Sequence, residues 1–155
     1  LITTSIFDSK YKGSDGIERN TAFNNGYVLN VLAGKEFKFK PESRYTFTFD
    51  TKLTTAGGRY YTPVDLVASN MVQTEIKQEN IAFSERYDPY FRFDVKFGFK
   101  MNSKKRKVSH QFFMDIQNVT NRENIFARRY NRQTNQVNNA YQVGFFPDFM
   151  YRIQF

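Results

Sequence analysis

Hydrophobic and polar residues alternate along much of this chain with a period of two. The clearest stretch is YFRFDVKFGFKMN, residues 90–102. Phe91, Phe93, Val95, Phe97, Phe99 and Met101 share one phase, and Arg92, Asp94, Lys96, Gly98 and Lys100 the other. Successive side chains of a strand point to opposite faces, whereas a helix would scatter these residues around its axis, so the pattern predicts a strand. It is about twice the usual globular strand length of five or six residues.

Four further segments alternate in the same way. In RYTFTFDTKLTT, residues 44–55, Tyr45, Phe47, Phe49 and Leu53 oppose Thr46, Thr48, Asp50 and Lys52. In residues 108–121, Phe112, Met114 and Ile116 oppose Gln111, Asp115 and Gln117. Residues 27–39 place Tyr27, Leu29, Val31, Ala33, Phe37 and Phe39 on one phase, with Lys35 among them. A lysine on that phase needs either a bulge or a side chain that snorkels. The closing GFFPDFMYRIQF, residues 144–155, sets Phe149, Tyr151, Ile153 and Phe155 against Asp148, Met150, Arg152 and Gln154. A weaker segment covers residues 2–11. The chain therefore reads as all-β, with about six strands.

The connections alternate in length. Residues 40–43 (KPES) and 103–107 (SKKRK) are short and turn-like, whereas 12–26, 56–89 and 119–143 are long and polar. Short turns on one side and long loops on the other is the asymmetry of an outer-membrane β-barrel. Facing Arg92, Lys96 and Lys100 toward lipid would cost roughly 2 to 4 kcal/mol per basic residue near the midplane, so the polar phase belongs in a lumen. Asp50, Lys52, Arg92, Asp94, Lys96, Asp115, Gln117 and Arg152 are the expected lumen-facing polar set.

Composition sharpens this picture. The 155 residues are the size of one ordinary domain, with 18 Phe, 10 Tyr, no Trp, no Cys and a formal charge of +8. Without cysteine there are no disulfides or thiolate metal sites. No run of 18 apolar residues occurs, which excludes a transmembrane helix. The opening LITTSIFDSK has neither the basic nor the apolar region of a signal peptide and reads as an internal stretch.

FDSKYKGSDGIERNTAFNNGYVLNVLAGKEFKF, AGGRYYTPVDL, FSERYDPYFRFDVKFGFKMNSKKRK, MDIQNVTNRENIF and GFFPDFMYRIQF together cover nearly the whole chain. In them it resembles the C-terminal barrel portion of a TonB-dependent outer-membrane receptor of the kind abundant in Bacteroidota. DIQNVTN is similar to the family's penultimate strand, where it leads into the last extracellular loop. The resemblance implies that residues 1–155 are a part of a 22-stranded transmembrane barrel without its plug domain, the motif that contacts TonB, or most strands. It further implies that Phe149, Tyr151, Ile153 and Phe155 form the insertion signal for the barrel-assembly machinery, and that the last strand closes onto the first. The parent protein would be an energised importer of a siderophore, glycan or peptide-like nutrient. Its partners would be outer-membrane lipid, lipopolysaccharide and the TonB complex.

Enzyme chemistry is not expected. HExxH, phosphate-loop and GxSxG patterns are absent from the sequence; no cofactor and no metal are implied. The single histidine, His110, lies on the apolar phase near a turn and suits an interfacial structural role. Asp94 and Asp115 are expected to pair with Arg92 or Lys96 rather than to act as a catalytic pair. Asn118 opens an N-V-T sequon that a bacterial strand end would not use. SKKRK reads as a solvated turn more readily than as a nucleic-acid patch. GGRYY and ARRYNR set Arg59, Tyr60, Tyr61, Arg128, Arg129 and Tyr130 above the lumen mouth. That combination suits an anionic or hydroxyl-rich ligand, or lipopolysaccharide phosphates, or simply orders the loops. A passive porin or an adhesin would share the strands. A soluble basic β-domain that binds nucleic acid would put aromatic and basic residues on one face, and here they lie on opposite faces.

Overall fold

A computed structural model of the chain describes residues 1–105 and 107–155. In chain order its strands are β1 (Ile2–Ile6), β2 (Lys10–Lys12), β3 (Glu18–Asn20), β4 (Tyr27–Lys38), β5 (Tyr45–Ala56) and β6 (Tyr60–Tyr61). Helix α1 (Leu66–Val72) and a 3-10 turn (Glu79–Ile81) follow. Then come β7 (Glu85–Arg86), β8 (Tyr90–Asn102), β9 (Ser109–Gln117), β10 (Ile125–Asn131), β11 (Gln136–Tyr141) and β12 (Phe146–Gln154).

The six strands expected from the alternation form one antiparallel sheet in the order β1-β4-β5-β8-β9-β12. Among these six, each pairs with the next in sequence, so the sheet is a meander. The short connections are tight for local reasons. The Ser43 N–H donates to the Lys40 carbonyl at 2.9 Å, with Pro41 in the position where its fixed φ suits a turn. The Ser103 N–H donates to the Val108 carbonyl at 2.9 Å and closes the other turn; Arg106 of that turn lies outside the described residues. Both turns are at one end of the sheet, and the three long connections are at the other.

The long connections carry structure of their own. β2 and β3 form a hairpin, β6 pairs with β7, and β10 pairs with β11. Helix α1 begins where the Asp65 side chain accepts the Ala68 N–H at 2.9 Å, filling one of the open donors of the first turn.

Several boundaries differ from the sequence expectation. The first sheet strand ends at Ile6, not at residue 11, because Tyr11 has been drawn into the β2–β3 hairpin. The penultimate sheet strand ends at Gln117 because Asn118 turns the chain with φ of 49°. Phe155 lies beyond the last strand and is 91% exposed. The β4–β5 register runs without a shift, so there is no bulge at Lys35; its ammonium lies 5.3 Å from the Phe37 ring centre. β1 and β12 are the two edges of an open sheet. Six strands spaced about 4.8 Å apart make a wall too narrow to curl round a lumen.

The sheet is a single layer with no core beneath it. Among the described residues only Ala56 and Ala82 are buried hydrophobics. The accessible surface is 10977 Å², whereas a compact monomer of 18.4 kDa exposes about 8,200 Å². The excess is the two uncovered faces.

Candidate functional site

Strand registers put every apolar phase on the same face. Phe37, Phe47, Phe99, Phe112 and Tyr151 stand directly opposite one another across five adjacent strands. The neighbouring row, two residues toward the loops, is Lys35, Phe49, Phe97, Met114 and Phe149. Ring contacts run along each row, Phe49–Phe97 at 5.3 Å and Phe112–Tyr151 at 4.8 Å, and Phe47–Phe97 at 6.3 Å links the two. Such cross-strand aromatic pairs stabilise a sheet by roughly 0.2 to 1 kcal/mol each. Tyr151 also meets His110, whose Nδ1 lies 2.7 Å from the phenol oxygen, at the end nearest the short turns. Phe149, Tyr151 and Ile153 thus sit on the apolar face, 73%, 51% and 42% exposed.

The opposite face gathers the expected polar set: Asp50, Lys52, Arg92, Asp94, Lys96, Asp115, Gln117 and Arg152 all point to this side. One row runs Gly34, Asp50, Lys96, Asp115, Asp148 across five strands, so Lys96 stands between two carboxylates in register. Its ammonium lies 4.7 Å from the Phe113 ring centre. Lys52 stands opposite Asp94, and Arg152 opposite Gln111. Arg92 Nε donates to Asp94 Oδ1 at 2.6 Å and its Nη2 to Gln117 Oε1 at 2.9 Å. The expected pairing of Asp94 is thus with Arg92. Gly34 leaves room for the Asp50 side chain, which crosses the neighbouring strand: a Cβ would lie 2.0 Å from Asp50 Oδ1, and the carboxylate would have to swing aside.

At the long-loop end a cavity of about 290 Å³ opens between the connections, lined among others by Arg59, Asp88, Arg122, Glu123, Asn124 and Gln142. Arg59, Tyr60, Tyr61, Arg128, Arg129 and Tyr130 come together near it, and each is engaged with its neighbours. Arg59 Nη2 donates to the Phe126 carbonyl at 2.8 Å. Arg128 hydrogen-bonds the Tyr61 hydroxyl and its guanidinium lies over that ring, while Tyr61 stacks on Tyr87 at 4.2 Å. Arg86 lies over the Tyr60 ring at 5.3 Å. Glu75 accepts from Arg129 Nη1 at 3.3 Å and from the Tyr130 N–H at 3.2 Å, and Tyr130 donates its hydroxyl to Asn135 Oδ1 at 3.0 Å. Burial raises the Tyr61 phenol pKa, and the Arg128 charge partly offsets this. In this arrangement the six residues order the loops, and of them only Arg59 lines the cavity.

Two asparagines escaped the sequence reading. Asn118, the sequon residue, is 1% exposed, so it is closed to modification. Its backbone N–H donates to Asp94 Oδ1 at 2.9 Å. Its amide nitrogen reaches the Arg122 and Val143 carbonyls, and its amide oxygen accepts from the Thr120 hydroxyl and the Arg122 N–H. It ties the polar face to the last long connection. Asn124 bonds both the N–H and the carbonyl of Phe91, at 3.1 and 2.8 Å, and so continues the ladder beyond the end of β9. The visible signal was three asparagines and a threonine within residues 118–124, a composition that favours local side chain to backbone bonding.

Among the described residues no group of three or more His, Asp or Glu could hold a metal ion. No family model matches the chain, and neither a curated protein nor a solved structure matches it.

Proposed function

We propose that this chain is a stretch of wall from an outer-membrane β-barrel, and that the parent protein is a TonB-dependent receptor for energised uptake of a nutrient. The observation that carries the reading is the two-faced sheet. Six strands in unbroken meander put one continuous aromatic face on one side and a charged polar face on the other, with all long connections at one end. In water such an apolar face is an aggregation hazard; against hydrocarbon it is matched.

The dimensions agree with a bilayer. From the aromatic row at Phe37 to Tyr27, β4 runs ten residue steps. At about 3.3 Å per residue and a tilt of about 40° that is roughly 25 Å of height, the apolar band of an outer-membrane barrel. Apart from Lys35 on the apolar face and Tyr90, Phe113 and Phe146 on the polar one, aromatic and basic side chains lie on opposite faces of the sheet strands, which disfavours a nucleic-acid platform, where stacking and charge must meet. Energised uptake, as against passive passage, rests on the sequence resemblance. The nutrient would be a siderophore, glycan or peptide-like ligand, met by the loop end around the cavity at Arg59 and Arg122.

The test is an immunoblot of outer-membrane fractions, boiled and unboiled, with an antibody raised against these residues. A heat-modifiable band several times larger than 18.4 kDa is expected. A single soluble band near 18.4 kDa would refute the membrane reading.

A further inference from the structure

The charge of this chain is concentrated at one end. Residues 39–44 and 103–108, the two short turns, hold Lys40, Arg44, Lys104, Lys105, Arg106 and Lys107 against Glu42 alone, which is six minus one, or +5 of the total +8. Among the described residues none of Lys40, Arg44, Lys104, Lys105 and Lys107 forms an ion pair. The long-loop end behaves differently, since Asp8 pairs with Lys10, Asp15 with Arg19 and Glu75 with Arg129.

A second observation lies beside this cluster. The row Phe37, Phe47, Phe99, Phe112 and Tyr151 borders the same end, with Tyr45 and His110 beyond it. Two cations reach onto these rings from the apolar side: Arg44 over Tyr45 at 4.7 Å and Lys35 over Phe37 at 5.3 Å. Uncompensated cations next to a rim of rings call for a phosphate layer lying against hydrocarbon. A zwitterionic surface offers the hydrocarbon boundary without the net negative charge. A nucleic acid offers the charge without the apolar boundary.

We propose that the short-turn end of the sheet docks on anionic phospholipid headgroups. The proposal rests on the membrane reading above and adds a lipid preference and its location. Each Lys or Arg held near an anionic bilayer surface strengthens binding about fivefold at ordinary ionic strength.

The experiment is sedimentation of the full chain with vesicles of phosphatidylcholine alone and of phosphatidylcholine mixed with phosphatidylglycerol, at low and high salt. The chain is expected to partition about tenfold or more in favour of the anionic vesicles, with the preference lost at high salt. K104Q/K105Q/K107Q is expected to lower partition onto anionic vesicles about tenfold or more and leave phosphatidylcholine partition unchanged. K12Q/K77Q/R132Q removes equal charge from the long-loop end and should leave the preference intact. E42Q should strengthen it, a gain that a misfolded variant could not produce. Equal partition onto both vesicles, or loss of preference in the loop variant but not the turn variant, overturns the proposal and leaves the membrane reading standing. Failure to bind either vesicle overturns both. Turn-lysine-dependent binding to duplex DNA in place of vesicles would also overturn both.

Discussion

If the apolar face meets lipid, the cost of a charge on it should follow depth, not the packing of each residue. Val95 stands in register with Thr51 and Ile116, four residues inward from the row of Phe99 and Phe112. Four residues of about 3.3 Å, tilted by about 40°, give roughly 10 Å of depth, near the centre of a band about 25 Å tall. Met101 lies two residues outside that row, opposite Tyr45 and His110. Val95→Arg should then destabilise by roughly 2 to 4 kcal/mol and Met101→Arg by about 1 kcal/mol or less. Ile116→Arg, on the next strand at the same depth as Val95, should reproduce the larger cost. The assay is guanidinium unfolding of the chain in phosphatidylcholine vesicles, followed by far-ultraviolet circular dichroism because the chain has no tryptophan. Equal costs at positions 95 and 101, or different costs at 95 and 116, would refute the reasoning, because a protein partner imposes no common plane.

Asn118→Ala removes a buried amide with four side-chain hydrogen bonds and should cost roughly 3 kcal/mol. Residues 118–145 should become the first site of proteolysis, and an unchanged cleavage pattern would contradict the role assigned to it. Gly34→Ala forces the Asp50 carboxylate to swing aside from a Cβ and should cost about 1 kcal/mol or less. Asp50→Ala in the same chain should restore most of the loss, and a double variant as unstable as the single one would show that the clash is elsewhere. In the first long connection the carboxyls of Asp8 and Asp15 are held below the usual 3.8, Asp8 first by the Asn24 side chain and then by Lys10, Asp15 first by Arg19 and then by the Ile17 N–H. Their contribution is therefore complete above pH 3.8 and lost as pH falls through the lower folded values. Amide exchange in the β2–β3 hairpin should hold steady from neutral pH down to about 4, once corrected for intrinsic rates, and rise below it; loosening already near pH 6 would argue against these pairings.

Within the sheet, much was legible before any fold was known. Alternation in Tyr90–Asn102 and in the segments around Phe47, Phe112 and Phe149 has a period of two, and only a strand turns that period into faces. The same alternation sorted Arg92, Asp94, Lys96 and Asp115 onto one side and the aromatics onto the other. The short polar links KPES and SKKRK marked the turns. Lys35 was legible as a conflict, though not how it is resolved.

The rest depended on contacts distant in sequence. The bond from Arg92 to Gln117, and the place of Lys96 between Asp50 and Asp115, follow from register, which no single segment encodes. Tyr11 left the first strand because β3 offered its backbone a partner. Arg59, Tyr61, Arg128 and Tyr130 could be grouped by residue type alone. Only the folded loops set their donors and rings against Phe126, Tyr87, Glu75 and Asn135, contacts that tie the connections together. Asn118 shows the division most plainly: in sequence it opens a sequon, and in the fold it is a buried node. The sequence by itself determined which residues form strands and which face each belongs to, because those depend on neighbours one and two positions away. Tertiary structure decided which polar groups meet, because each such partner is brought near only when the sheet and its loops assemble.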